Sequence, residues 1–92
     1  PKAAKKTIPA RATFDDEAST HSTLMEIVAQ DRPGLLYLIS SEIAKLDINI
    51  EIALIDTEGH TAIDVFYLTE SGAKLEPSVQ ETLKAALLTA LQ

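Results

Sequence analysis

The stretch at residues 31–36 decides the fold, because it joins a strand-like run to a helix-like run. It reads Asp31-Arg32-Pro33-Gly34-Leu35-Leu36. Proline suits the first position of a helix, where its missing N–H would have no partner, so Pro33 is predicted to start the helix. Gly34 leaves the free N–H groups of the first turn uncovered. Those groups and the helix dipole attract carboxylates, so the turn is a candidate binding site.

Composition restricts the kind of protein that this sequence encodes. The 92 residues suit one small domain, and a hydrophobic content of 46% is typical of a globular chain. The net charge of −6 argues against nucleic-acid binding, which needs clustered Lys and Arg. The chain has no cysteine and no apolar run of membrane-spanning length, so we expect a cytoplasmic protein. It begins with Pro1 rather than Met, which indicates a fragment of a longer protein.

Hydrophobic periodicity predicts the secondary structure around this turn. Alternating patterns predict strands at residues 23–30, 48–56 and 61–69. Apolar residues at steps of three and four predict helices from Leu35 to Leu46 and from Pro77 onward. A weaker alternation predicts a short strand at residues 10–14. Residues 1–9 contain three lysines and two prolines and are interpreted as a linker or tail.

The predicted order of elements, (β)βαββα, is typical of an α+β ferredoxin-like sandwich. Such a fold has a four-stranded antiparallel sheet with two helices on one face, and its usual order is βαββαβ. The last strand is missing here. We expect the strand at residues 10–14 to pair antiparallel with the strand at residues 23–30 and to replace it at the edge. Residues 10–92 would then form the domain.

Because the helices cover only one face of the sheet, the other face would expose apolar side chains. The candidates for that face are Leu24, Val28, Ile52, Leu54, Phe66 and Leu68. Such a face is too apolar to be left in water on a small domain. We expect a second copy, a neighbouring domain or an edge-to-edge dimer to cover it.

The sequence contains no recognisable catalytic set. A nucleophile needs a neighbouring base, and the two histidines, His21 and His60, fall in turn-like contexts at opposite ends of the hairpin system, so each is predicted to be a surface loop residue. Asp64 could act as a general base but is predicted to be an exposed or interface position of a strand. The acidic cluster at residues 15–17 lacks the glycine and ligand spacing of a calcium loop, so a solvated turn is predicted. No cofactor or metal motif is present, and none is expected to bind.

A binding site is the remaining candidate function. The N–H groups of residues 34–36 and the amide of Asn49 would face the carboxylate of an α-amino acid, and Asp31 would face its ammonium group. The structural alternative makes Asp31 a helix cap and Asn49 the turn residue that ends the helix. Spacing alone favours this structural alternative.

Four segments of the chain resemble the ACT domain family. They read DRPGLLY at residues 31–37, LDINI at 46–50, ALIDTEG at 53–59 and IDVFYLT at 63–69. The likeness covers about residues 8–91. Among ACT domains, these segments are most similar to those of bifunctional uridylyltransferase/uridylyl-removing enzymes.

The resemblance implies a regulatory domain that binds an amino acid, with glutamine favoured in this enzyme class. It also implies pairing with another ACT domain or a second subunit. The family's ligand contacts fall on Asp31, Arg32, Pro33, Gly34, Leu35, Leu36 and Asn49. The family's catalytic partner domains have no counterpart here, so the chain itself is not expected to be an enzyme. An interaction or dimerisation module that docks a neighbouring domain and binds no metabolite is the alternative.

Overall fold

The computed structural model describes residues 8–92 as four strands and two helices. These are β1 (Arg11–Asp15), β2 (Thr23–Gln30), α1 (Leu35–Lys45), β3 (Asn49–Glu58), β4 (Thr61–Thr69) and α2 (Pro77–Ala90). The strands form one antiparallel sheet in the order β1-β2-β4-β3. The predicted α+β fold is therefore confirmed. Of the predicted tail at residues 1–9, only Ile8 and Pro9 lie within the described residues.

The hydrophobic core lies between one face of the sheet and the two helices. Met25 and Ile27 of β2 are fully buried on this face, whereas Leu24 and Val28 on the opposite face are half-buried. The helices supply Leu35, Ile39, Ile43, Leu83 and Leu87 to the same core. Complete burial of a Leu or Ile side chain contributes about 1.5–3 kcal/mol relative to exposure. This packing fixes the position of α1 against the sheet.

The edge strand β1 pairs antiparallel with β2, and a polar network fixes the loop between them. The Asp16 carboxylate accepts hydrogen bonds from Thr23 Oγ1 at 2.7 Å and from Gln80 Nε2 at 2.9 Å. Thr23 Oγ1 in turn accepts from the N–H of Leu75 at 2.9 Å. The bond from Gln80, followed by that from Thr23, lowers the pKa of Asp16. The prediction of a purely solvated turn at residues 15–17 is therefore wrong for Asp16.

The second face of the sheet is apolar, as predicted, but two of the residues assigned to it are not there. Phe66 and Leu68 are fully buried in the core, because the register of β4 pairs them with Met25 and Thr23. The alternate residues of β4 take their places. The open face, as we call it, consists of Leu24, Val28, Ile52, Leu54, Ile63, Val65 and Tyr67.

Strand β3 lies at the outer edge of the sheet, and all of its residues are exposed. The side chains of Ile52, Leu54 and Ile55 are each about half exposed. A bulge lies between Ile50 and Ile52, where the Glu51 carboxylate accepts hydrogen bonds from neighbouring side chains. No described strand pairs with the outer edge of β3. A long apolar edge of this kind is suited to pairing with another strand.

Candidate ligand-binding site

Helix α1 begins with an uncapped first turn. Its N-cap is Gly34, whose left-handed backbone (φ 79°, ψ 4°) interrupts the helical path, so the helix begins at Leu35. The prediction that Pro33 occupies the first helical position is therefore wrong. No side chain caps the helix, so Asp31 does not act as a cap. Within residues 8–92, the N–H groups of Leu36 and Tyr37 have no hydrogen-bond acceptor.

Leu36 and Tyr37, which carry these free N–H groups, line a cavity of about 220 Å³. The loop and the first turn of α1 contribute Asp31, Arg32, Gly34, Leu35, Leu36 and Tyr37 to its lining. The ends of β3 and β4 contribute Ile55, Thr57, Ala62 and Asp64. At about 30 Å³ per water molecule, this volume equals that of about seven waters. The cavity therefore has room for a small metabolite.

The loop residues predicted to bind a ligand are mostly brought together. Five of the seven line the cavity, and Pro33 and Asn49 are the two that do not. The N–H of Asp31 donates to the carbonyl oxygen of His60 at 2.8 Å, which holds the loop against the β3–β4 turn. Arg32 Nη2 donates to the carbonyl oxygen of Ala90 at 3.4 Å, so its guanidinium is directed towards the end of α2.

Asn49 lies at the opposite end of the sheet from this cavity. It pairs with Thr69, whereas the cavity residue Thr57 pairs with Ala62. Eight positions of β3 separate Asn49 from Thr57, a span of about 26 Å at the usual rise of a strand. The Asn49 amide donates to the Glu51 carboxylate at 2.9 Å. A single copy of the chain therefore does not place Asn49 beside the loop.

Asp64 is a cavity residue whose environment was wrongly predicted from the sequence. It is only 1% exposed, because the register of β4 places it on the core face, opposite Ile27 of β2 and Ile55 of β3. No donor in the described part of the chain reaches its Oδ1 atom. Burial is the main factor that raises the pKa of Asp64, and the Asp31 and Asp56 carboxylates add to the effect; a backbone hydrogen bond from Asp56 opposes it. Asp64 lies two residues from both Ala62 and Phe66, so the alternation of β4 could have predicted that it is buried on the same face.

A second cavity, of about 680 Å³, lies near the end of α2. Ile8 and Pro9 line it from the N-terminal segment, and Leu88 and Leu91 line it from the C-terminal end. Asp64, which has the unpaired buried oxygen, is not among its lining residues. This cavity is larger, and Gln30, Arg32 and Gln92 also line it, but the buried oxygen without a partner among the described residues is at the cavity at the start of α1.

A metal-binding cluster and a membrane-spanning helix are both absent from residues 8–92. In residues 8–92, no three His, Asp or Glu side chains are grouped in an arrangement that would hold a metal ion. Neither α1 nor α2 is long and apolar enough to cross a membrane.

Comparison with known proteins identifies the family. Residues 11–92 match the family described as "ACR9-like, ACT-like domain". The bifunctional uridylyltransferase/uridylyl-removing enzyme of Caulobacter vibrioides (strain NA1000 / CB15N) is 38% identical over 93 residues, which cover 99% of this chain and 10% of that enzyme. The enzyme of the same name from Azospirillum brasilense is 43% identical over 63 residues, 68% of this chain and 7% of the enzyme. The chain thus spans about a tenth of the length of the curated relatives that it matches. With its βαββα core and its match over nearly the whole chain, the protein belongs to the family of ACT-like domains.

Proposed function

We propose that this chain is an amino-acid-sensing regulatory domain and that glutamine is its favoured ligand. We further propose that it belongs to a protein with uridylyltransferase and uridylyl-removing activity in nitrogen metabolism. The observation that carries the proposal is the uncapped first turn of α1, whose residues Leu36 and Tyr37 have free N–H groups and line a metabolite-sized cavity. The name of the relatives supports the choice of parent enzyme.

The first turn of α1 is suited to hold the carboxylate of an amino acid. The N–H groups of Leu36 and Tyr37 are free to donate, and the helix dipole adds a favourable contribution of about 0.3–1 kcal/mol. The left-handed conformation of Gly34 leaves open space at the position where a side chain would stand. Asp31 is exposed and lines the same cavity.

Pairing with another ACT domain is the second part of the proposal. The exposed outer edge of β3 and its half-exposed apolar side chains support such pairing. If two β3 strands pair antiparallel, the Asn49 end of one strand lies beside the Glu58 end of the other. That end of β3 contains the cavity residue Thr57. Asn49 would then contact a ligand bound in the neighbouring domain rather than in its own.

A pure interaction module is the competing function. The observation that favours it is the open face, which is apolar and lies on the side of the sheet away from both helices. In that case the open face and β3 would dock a neighbouring domain, and the cavity would bind no metabolite. The first turn of α1 would then serve only to begin the helix.

A thermal-shift screen against the common amino acids separates the two functions. The sensing function predicts that millimolar glutamine raises the melting temperature, because a ligand that binds only the folded state stabilises it. The screen should be run at low and high protein concentration, since binding can depend on pairing. If no amino acid raises the melting temperature at either concentration, the sensing function is rejected and the interaction module is favoured.

A further inference from the structure

The carboxylate of Asp64 is buried, and within residues 8–92 its Oδ1 atom has no hydrogen-bond partner. Its side chain is 1% exposed and lies on the core face of β4, between the strands that carry Ile27 and Ile55. It also lines the cavity at the start of α1. A buried polar atom without a partner costs free energy, and such atoms are uncommon in folded proteins.

In the part of the chain that the structure describes, no ion pair neutralises the charge of Asp64. Among the described residues, the single ion pair joins Lys45 to Glu42, on the far end of α1 from the cavity. Arg32 lines the same cavity, but its guanidinium donates to the carbonyl oxygen of Ala90. Among residues 8–92, the charged groups that act on the pKa of Asp64 are the carboxylates of Asp31 and Asp56, and both raise it. The cavity lining thus combines the carboxylate of Asp64 at the sheet and that of Asp31 on the loop with the first-turn residues Leu36 and Tyr37, whose N–H groups have no acceptor within residues 8–92.

We infer that Asp64 is a ligand-binding residue, whose free Oδ1 accepts a hydrogen bond from the ammonium group of the bound amino acid. This inference rests on the proposed sensing function and adds to it a residue that the sequence comparison did not single out. The carboxylate of the ligand would bind the N–H groups of Leu36 and Tyr37. The two ends of a zwitterion would then be held by opposite charges on opposite walls of one cavity.

This arrangement predicts which ligands the cavity rejects. A carboxylic acid without an α-amino group would leave Asp64 unpaired and would bring a second negative charge close to it. A site built to hydrogen-bond a polar group discriminates strongly against the analogue that lacks the group, because its own polar atom then stays unpaired. The affinity that a ligand gains from Asp64 should therefore depend mainly on its α-amino group and little on its side chain.

The test compares L-glutamine with glutaramate, which is glutamine without its α-amino group. Isothermal titration of the wild-type chain should show glutamine binding about tenfold or more tightly than glutaramate. In Asp64→Asn the side-chain shape is kept, and this preference should fall to near unity because glutamine binds more weakly. Asp56→Asn is the matched control, since it removes a neighbouring exposed carboxylate that does not line the cavity, and it should keep the preference.

The possible failures can be told apart. If the wild-type chain binds glutamine and Asp64→Asn keeps the full preference over glutaramate, the inference about Asp64 is overturned and the sensing function stands. If the wild-type chain binds no amino acid, the sensing function fails, and the inference that rests on it fails too. Circular dichroism of each variant shows whether it is folded before its binding is interpreted.

A second measurement needs no variant and covers the case in which Asp64→Asn does not fold. The side-chain carboxyl resonance of Asp64 can be titrated by nuclear magnetic resonance with and without glutamine. An ammonium group beside Asp64 would lower its pKa, because an opposite charge favours the ionised form. A pKa of Asp64 that is unchanged or higher in the presence of saturating glutamine would overturn the inference.

Discussion

Asp64 and Ile27 lie directly opposite each other on neighbouring strands, with both side chains in the core of the domain. A carboxylate in the place of an apolar residue weakens the core, since burial disfavours its charged form. Strained or destabilising groups of this kind tend to occur at functional sites. The pairing of Asp64 with Ile27 therefore links the packing of the sheet to the cavity at the start of α1.

The first prediction concerns the pH dependence of stability in the ligand-free chain. Because burial raises the pKa of Asp64 above 3.8, the folded state holds this proton more tightly than the unfolded state. The contribution of protonated Asp64 to the free energy of unfolding is therefore present at low pH. It is lost as the pH rises through the pKa that Asp64 has in the folded state. The side chain of Asn does not ionise, so the stability of Asp64→Asn does not fall in this way as the pH rises. The variant should therefore be more stable than the wild-type chain at neutral pH but not near pH 3.8. Urea unfolding of both chains across this range checks the sign, and a difference that does not grow with pH would contradict it.

The second prediction concerns the network around Asp16. Asp16→Ala removes the acceptor of the buried hydroxyl of Thr23 and of the Gln80 amide, and it should cost about 1–2 kcal/mol. For a domain of this size, the melting temperature should fall by about 4–8 °C per kcal/mol. Because the pKa of Asp16 is lowered, this stabilisation should fade as the pH falls below 3.8. Glu17→Ala is the exposed neighbouring control, and an equal loss in that variant would show that the network is not the cause.

The third prediction separates backbone strain from ligand binding. Gly34 and Gly72 have almost the same left-handed backbone, with φ of 79° and 75°. An added Cβ meets no atom within 4 Å at either position. Replacement by Ala should therefore cost a similar amount at both, about 1–2 kcal/mol for a left-handed residue. Only Gly34→Ala should also weaken glutamine binding, since only Gly34 lines the cavity. Titration of both variants with glutamine provides the measurement, and equal weakening would assign the effect to lost stability alone.

The fourth prediction concerns assembly through β3. Leu54 is about half exposed and lies on the open face, so Leu54→Lys should change the stability of the isolated domain little. It should disrupt pairing, because a charge would be buried without a partner at an apolar edge. Sedimentation at high protein concentration should show a dimer for the wild-type chain and a monomer for the variant. Ala85→Lys adds the same charge to the exposed side of α2 and should keep the dimer. A variant that still forms the dimer would place the interface elsewhere.

The fold was predictable because its signals are local. Alternation in β2 and β4 and the apolar spacing between Leu35 and Leu46 match the elements that form, and the ends of the other elements shift by one or two residues. The apolar spacing gave the start of the helix at Leu35, but Pro33 was wrongly assigned to the first helical position, because Gly34 is the N-cap and its left-handed backbone keeps Pro33 out of the first turn.

The site was only partly predictable, because its strand residues depend on register. Asp31, Gly34 and Leu36 are close in sequence, and a local argument could place them at one turn. Asp64 comes close to these residues only because β2 pairs with β4. From the sequence alone, its polar side chain led to the prediction that it is exposed. Asn49 shows the reverse, since a resemblance placed it near the loop and the order of the strands places it at the far end of β3.

The most direct test of the central claim is a titration of the isotope-labelled chain with L-glutamine, followed by backbone amide shifts. We predict that the largest changes occur at Gly34, Leu36 and Tyr37 and at Asp64, where the helix start and the sheet meet around one cavity. The exposed amides of α2 beyond the cavity should hardly move. Changes centred on Leu88 and Leu91, at the second cavity, or no changes at millimolar glutamine, would contradict the claim that this domain senses glutamine at the start of α1.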